Sequence, residues 1–355
     1  MICAVLGIAL ILTGCSAGGD VPQDTDVVTV AATESSETSG SSDTSETTVT
    51  SAAETTKPPL TPFKFNPHLY SATVAGRIPQ SYWDALHNLC DAVREGKDTF
   101  ECQDIDSYNW ATDTAVLCCY MPPAGGIVEG KTDDGSLPFE NGIGKISYKM
   151  PVEDYLKRQA DFEAMIEDVL NSTIESDDTD YEKALKLYLY VTDNYTYEEE
   201  VFMDDNFVYS AFRAKKGMCV NLAAVYVHLL LQAGIDAVSL SIYEETICHS
   251  WTYAVIGGKG YHIDPTWGLK ADGKIWLDYF MMSDRARDED GCLVRNLAVA
   301  VIPENWIKDT GIKVTADDEH YCLRKNCTFV SLDEEAKVLH YLDDSGSPRE
   351  FNYGE

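Results

Sequence analysis

Basic residues are scarce in this 355-residue chain: 27 lysines and arginines stand against 59 aspartates and glutamates, a net charge of −32, and none precedes Lys57. Such a surface repels phosphate backbones, which excludes nucleic acid as a partner, and it does not adhere to anionic lipid by charge. Its simplest use is to keep an exported protein soluble. Paired CxxC spacings are missing too, so the cysteines give a metal site little support. No segment repeats. The apolar run from Ile2 to Leu12 is too short to span a bilayer and has the length of a signal-peptide h-region. Residues 16 to about 58 hold almost no large apolar side chains beyond a few valines. They cannot bury enough surface to offset chain entropy, which predicts a disordered tether.

What the chain does have begins with 11 cysteines. Cys15, after Thr13 and Gly14, resembles the lipidated cysteine of a bacterial lipoprotein signal, apart from the missing basic n-region. The resemblance implies an acyl-anchored protein on the extracytoplasmic side of the cell membrane. With Cys3, Cys15 and Cys219 set aside, an even number remains, so disulfides are open in an exported protein. Cys322 with Cys327 and Cys90 with Cys102 are candidate pairs; buried thiols are the alternative.

Composition and pattern separate a signal over 1–15 and a linker rich in Ser, Thr, Asp and Glu over 16–60 from the folded part. Helical spacing predicts a helix from Pro79 to Glu95 and another opened by Pro151, with Glu153 and Asp154 in its first turn. Ile143 to Met150 reads as a strand. Thr179-Asp180-Tyr181-Glu182 fits a capping box at the head of a further helix. The segment from Cys219 to Ala233 is apolar nearly all round, the mark of a helix at the centre of a fold, and Gly234 ends it. Strand-like runs follow at Ala237 to Tyr243, His249 to Ile256 and Tyr261 to Ile263.

A cysteine on the first turn of a buried helix sits where the helix dipole favours a thiolate, and an imidazolium nearby favours it further. If Gly257 and Gly258 form a two-residue hairpin turn, Asp264 falls opposite Trp251 and diagonal to His249 on one face of the sheet. That is close enough for the carboxylate and imidazole to meet. His228 is a poor rival base, nine residues along the same helix as Cys219. His262 shares a face with Asp264 but lies opposite Tyr253, nearer the turn, and reads as structural. Trp251 and Trp267, beside the two polar residues, are candidates for lining a substrate site.

These segments resemble the transglutaminase-like superfamily. The match rests on Gly217-Met218-Cys219 opening a helix, Gly234-Ile235 after it, His249-Ser250-Trp251, and Asp264-Pro265-Thr266-Trp267. Tyr195-Thr196-Tyr197, Tyr209 to Phe212 and Tyr279 to Ser283 fit the same pattern, so the likeness covers roughly 178 to 290. That sets a domain over 178–290 between an N-terminal α+β region over 61–177 and a C-terminal extension over 291–355. The likeness implies an α+β fold whose papain-like core packs a central buried helix on an antiparallel sheet. It also implies a Cys219–His249–Asp264 triad for acyl transfer on protein or peptide amides, without a cofactor. Thr252 departs from the asparagine common after His-x-Trp, and no side-chain oxyanion donor is evident upstream of Cys219. The reading from another class is a non-catalytic surface-binding module with a vestigial site.

Overall fold

The computed structural model describes residues 60–130, 138–199, 207–243, 247–292, 297–299, 301 and 314–354. The expected signal, nearly all of the expected tether, and Cys15 lie outside them. Among the described residues no helix is long and apolar enough to cross a membrane.

At the centre is the helix Cys219–Gln232, in which every residue from Asn221 onward is buried. Its all-round apolar sequence leaves no face for water, so other elements must cover it on every side. Gly234 follows in the left-handed region at φ 85°, a conformation that lets the chain leave the helix sharply. A four-stranded antiparallel sheet packs on this helix, in the order Lys259–Ile263, Cys248–Ile256, Ala237–Tyr243 and Ala298–Val299. The fold is thus mixed helix and sheet with a papain-like core.

The helix Asp180–Asn194 lies against the cysteine helix and starts with the expected capping box at Thr179. Two further predicted helices form at Gln80–Arg94 and Val152–Thr173. Ahead of the domain, Asp236 accepts from the Ser71 and Thr73 hydroxyls, each at 2.7 Å. Gln232 exchanges two hydrogen bonds with the backbone of Asn66. One continuous cluster of buried side chains runs from Phe65 to Tyr353.

Two expectations need correction. Ile143 to Met150 is not one strand: Ile143–Lys145 pairs with Thr99–Glu101 and Phe139–Glu140, whereas Ser147–Tyr148 pairs with Val128–Glu129. The segment passes between two partners, so the ladder breaks at Ile146. Neither candidate disulfide forms; Cys90, Cys102, Cys322 and Cys327 are free thiols. Cys90 is buried in the core, and Cys327 Sγ instead donates to the Arg324 carbonyl at 3.0 Å.

Candidate active site

The approach to Cys219 is built from its neighbours. Lys216–Gly217 forms a short parallel bridge with Thr196–Tyr197, and the chain enters the helix with Met218 as N-cap. Asn221 Oδ1 accepts from the Met218 N–H at 2.9 Å, satisfying a donor that a helix start otherwise leaves open. A Cβ on Gly217 would stand 2.6 Å from Asn221 Cβ. Glycine is therefore the residue that admits this cap. Cys219 is the first helical residue and is partly exposed.

The hairpin supplies the other two groups. Gly257 and Gly258, both at positive φ, make the two-residue turn, and the register pairs Lys259 with Ile256 and His262 with Tyr253. Asp264 thereby comes diagonal to His249, and His249 Nε2 lies 2.6 Å from Asp264 Oδ2. Both are buried, Asp264 completely. Thr252 Oγ1 donates to the Ala223 carbonyl at 3.3 Å, tying the histidine strand to the opening turns of the cysteine helix. The residue that departs from the family's asparagine thus serves as a brace.

Asp264 is held from every side. Its backbone N–H donates to Tyr279 O at 2.8 Å. The turn at Pro265 points the Thr266 and Trp267 N–H groups back at Oδ1, at 3.0 and 3.2 Å. Oδ2 takes His249 and also Arg287 Nη2, at 2.8 Å. Burial pushes this carboxyl up, but the charges of His249 and Arg287 outweigh it and hold the group below its ordinary value. Arg287 is fully buried, with its guanidinium 4.6 Å from the Trp251 ring and 4.4 Å from the Trp267 ring. The reading of motifs missed it. It stands on the short helix Asp284–Glu289, within a run of alternating charges that has the look of a solvated face.

His249 lies parallel to Trp267, ring centroids 4.6 Å apart. Trp267 remains partly exposed beside it. Trp251, the other candidate for lining a substrate, does not do so. It is fully buried and donates Nε1–H to His262 Nδ1 at 2.9 Å. That bond fixes the His262 tautomer: Nδ1 accepts, so Nε2 carries the proton and donates to Asp284 Oδ1 at 2.8 Å. Burial pushes the His262 pKa down. His228 is likewise buried, with Nδ1 3.1 Å from the Cys119 carbonyl oxygen and its pKa pushed down by burial to about 4. Among the described residues no three His, Cys, Asp or Glu side chains are grouped to hold a metal ion.

Residues 167–265 match the family model of the transglutaminase-like superfamily, a stretch that contains Cys219, His249 and Asp264. The chain therefore carries a transglutaminase-like domain. A solved structure from Cytophaga hutchinsonii, described as that of a candidate cysteine protease, is similar at 19% identity with a TM-score of 0.24. The match covers 27% of this chain and 33% of that one, a likeness too slight to carry an argument. No curated protein matches the chain.

Proposed function

We propose that the protein is a thiol acyl-transfer enzyme acting on protein or peptide amides, with Cys219 as nucleophile, His249 as general base and acid, and Asp264 as the group that orients the imidazole. The observation that carries this reading is the buried His249–Asp264 hydrogen bond. It engages Nε2 and so leaves Nδ1 as the nitrogen that serves the thiol. The thiol proton passes to Nδ1 as sulfur attacks the amide carbonyl, and the positive end of the cysteine helix supports the developing oxyanion. Collapse returns the proton to the leaving amine and leaves a thioester on Cys219. A second amine then takes the acyl group to give a cross-link, or water takes it to give hydrolysis. Trp267, stacked on His249 and partly exposed, is the side chain here suited to lie along the acyl chain.

The test is turnover by the full chain on glutamine peptides with an added amine, and on peptide bonds, with mass spectrometry of the acyl adduct. Cys219→Ala should abolish the adduct and the turnover, and His249→Ala should slow turnover by about 10²–10⁴-fold. Turnover undiminished in Cys219→Ala would remove the thiol from the mechanism.

We propose further that the enzyme works outside the cytoplasm on a lipid anchor at Cys15, on the strength of the Leu12-Thr13-Gly14-Cys15 junction after an apolar run. Cys15→Ala should release the protein from the membrane fraction. Equal retention of variant and parent would end the lipoprotein reading.

A further inference from the structure

Asp264 Oδ2 serves two cations, His249 Nε2 at 2.6 Å and Arg287 Nη2 at 2.8 Å. The arrangement around Arg287 is costly. Its side chain is fully buried, and Nε has no hydrogen-bond partner among the described residues. An apolar side chain of similar size generally packs into such a place at lower cost than a buried ion. Its contacts explain where the compensation lies. The guanidinium stacks on Trp251 and Trp267, the two indoles whose rings also lie nearly parallel to His249 at 6.1 and 4.6 Å between centroids. Imidazole and guanidinium thus share both indoles and one carboxylate oxygen.

We propose that Arg287 is a positioning residue for the Cys219 chemistry: it holds Asp264 as an anion turned toward His249 Nε2, and it fixes the indole box that keeps the imidazole in plane. The proposal rests on the acyl-transfer reading above. Arg287 does not touch the reacting atoms. Its influence reaches the thiol through Asp264 and then His249.

Among the described residues, the titratable groups that face Asp264 include Tyr188 and Tyr279, and Arg287 has neighbours of its own. Cys292 Sγ lies 3.1 Å from Arg287 Nη2, and Asp290 Oδ2 lies 3.6 Å from Nη1. Asp290 is itself paired with Arg324. Behind Trp251 stand His262 and Asp284, with Asp288 near them. Among the described residues, Asp264 alone offers Arg287 a fully buried carboxylate. Without the guanidinium, burial would act on Asp264 against one cation instead of two, and the carboxyl would take a proton at a higher pH. The neutral acid would no longer favour imidazolium, and the thiolate would be lost with it.

The experiment is the pH profile of Cys219 alkylation by iodoacetamide in the full chain, for wild type, Arg287→Met, Arg287→Gln, Arg287→Lys and His249→Ala. In Arg287→Met the acid limb should move up by about one pH unit. Arg287→Gln should move in the same direction, and Arg287→Lys, which keeps charge but loses the fork, should fall between. A lower plateau with an unmoved acid limb would make Arg287 a packing residue and overturn the proposal. A profile unchanged by His249→Ala would instead overturn the acyl-transfer reading, so the two failures are distinct. Should the Arg287 variants not fold, the unmutated chain still decides: the ¹³C carboxyl signal of Asp264 should remain that of a carboxylate down to about pH 4, and a midpoint above that overturns the proposal.

Discussion

His249 and His262 both stand beside acids on the same hairpin, and only their hydrogen bonds separate them. His249 has one nitrogen on Asp264. His262 has both nitrogens engaged, one accepting from Trp251 and one on Asp284, so it has no lone pair to offer a thiol. His262→Ala should therefore leave Cys219 alkylation within about threefold of wild type while lowering stability by about 2–4 kcal/mol, because it opens a cavity and strands the Trp251 N–H. The pH dependence follows in sign. Burial holds the His262 pKa below its ordinary value, so its contribution is present above about pH 6.5. It is lost as pH falls and the unfolded chain takes the proton first. Urea unfolding at several pH values should show a shallower acid slope in the variant. A large loss of thiol reactivity at unchanged stability would reverse the roles of the two histidines. The contact of His249 with Asp264 was legible because each lies in a short motif whose spacing has a mechanical meaning. Arg287 was not, because Arg285 two residues earlier is 66% exposed while Arg287 is wholly buried, and periodicity in a six-residue helix cannot tell the two apart.

Longer elements carry their own instructions where a residue type has one physical use. The glycine pair at 257 and 258 set the register of the hairpin, and with it the diagonal contact between Asp264 and His249. The helices Ile105–Ala111 and Thr114–Tyr120 were harder to read, since seven residues give less than two full amphipathic repeats. Their clearest marks are the caps Asp104 and Asp113. Gly217 is a sharper case. Its motif position was recognised, but the reason for it lies in Asn221, four residues on, whose side chain fills the space of a Cβ. Gly217→Ala should force that side chain away from the Met218 N–H, costing about 1–3 kcal/mol and slowing Cys219 alkylation through a displaced helix start. Asn221→Ala clears the crowding from Oδ1 and Cγ, though not from Cβ, and gives up the same cap that Gly217→Ala disrupts. In a double-mutant cycle the pair should accordingly lose less than the two single changes added together. Strict additivity would mean that the two residues do not compete for space.

At the scale of the whole molecule, the sequence left the C-terminal extension unplaced, because contacts between residues more than a hundred apart leave no periodic trace. Its three-stranded sheet, Thr328–Asp333, Val338–Leu342 and Pro348–Asn352, is joined to the helix Asp180–Asn194 by the Glu334–Lys186 ion pair at 2.9 Å and, at the head of the helix, through the buried carboxylate of Glu182. Glu182 Oε2 takes the Thr179 N–H and hydroxyl at 2.8 and 2.7 Å, completing the capping box. Oε1 takes Lys337 Nζ at 2.6 Å and Tyr353 O–H at 2.8 Å, while Tyr353 stacks on Tyr181. Burial pushes the Glu182 carboxyl up, but the bonds from Lys337, Thr179 and Tyr353 outweigh it and hold the pKa at about 2. A depressed carboxyl stabilises the fold above its unfolded value, about 4.3, and that contribution drains away as pH falls toward the folded value. Glu182→Gln keeps the shape but not the charge, and should cost about 1–3 kcal/mol at pH 7 with Lys337 partly exposed. The deficit should shrink as pH falls from about 5 toward 2, because the unfolded wild type then takes a proton that folded Glu182 does not, and the variant has no such group. Urea unfolding of both proteins across that range is the measurement. A deficit constant with pH would assign the joint to packing of Tyr353 on Tyr181 and not to the carboxylate.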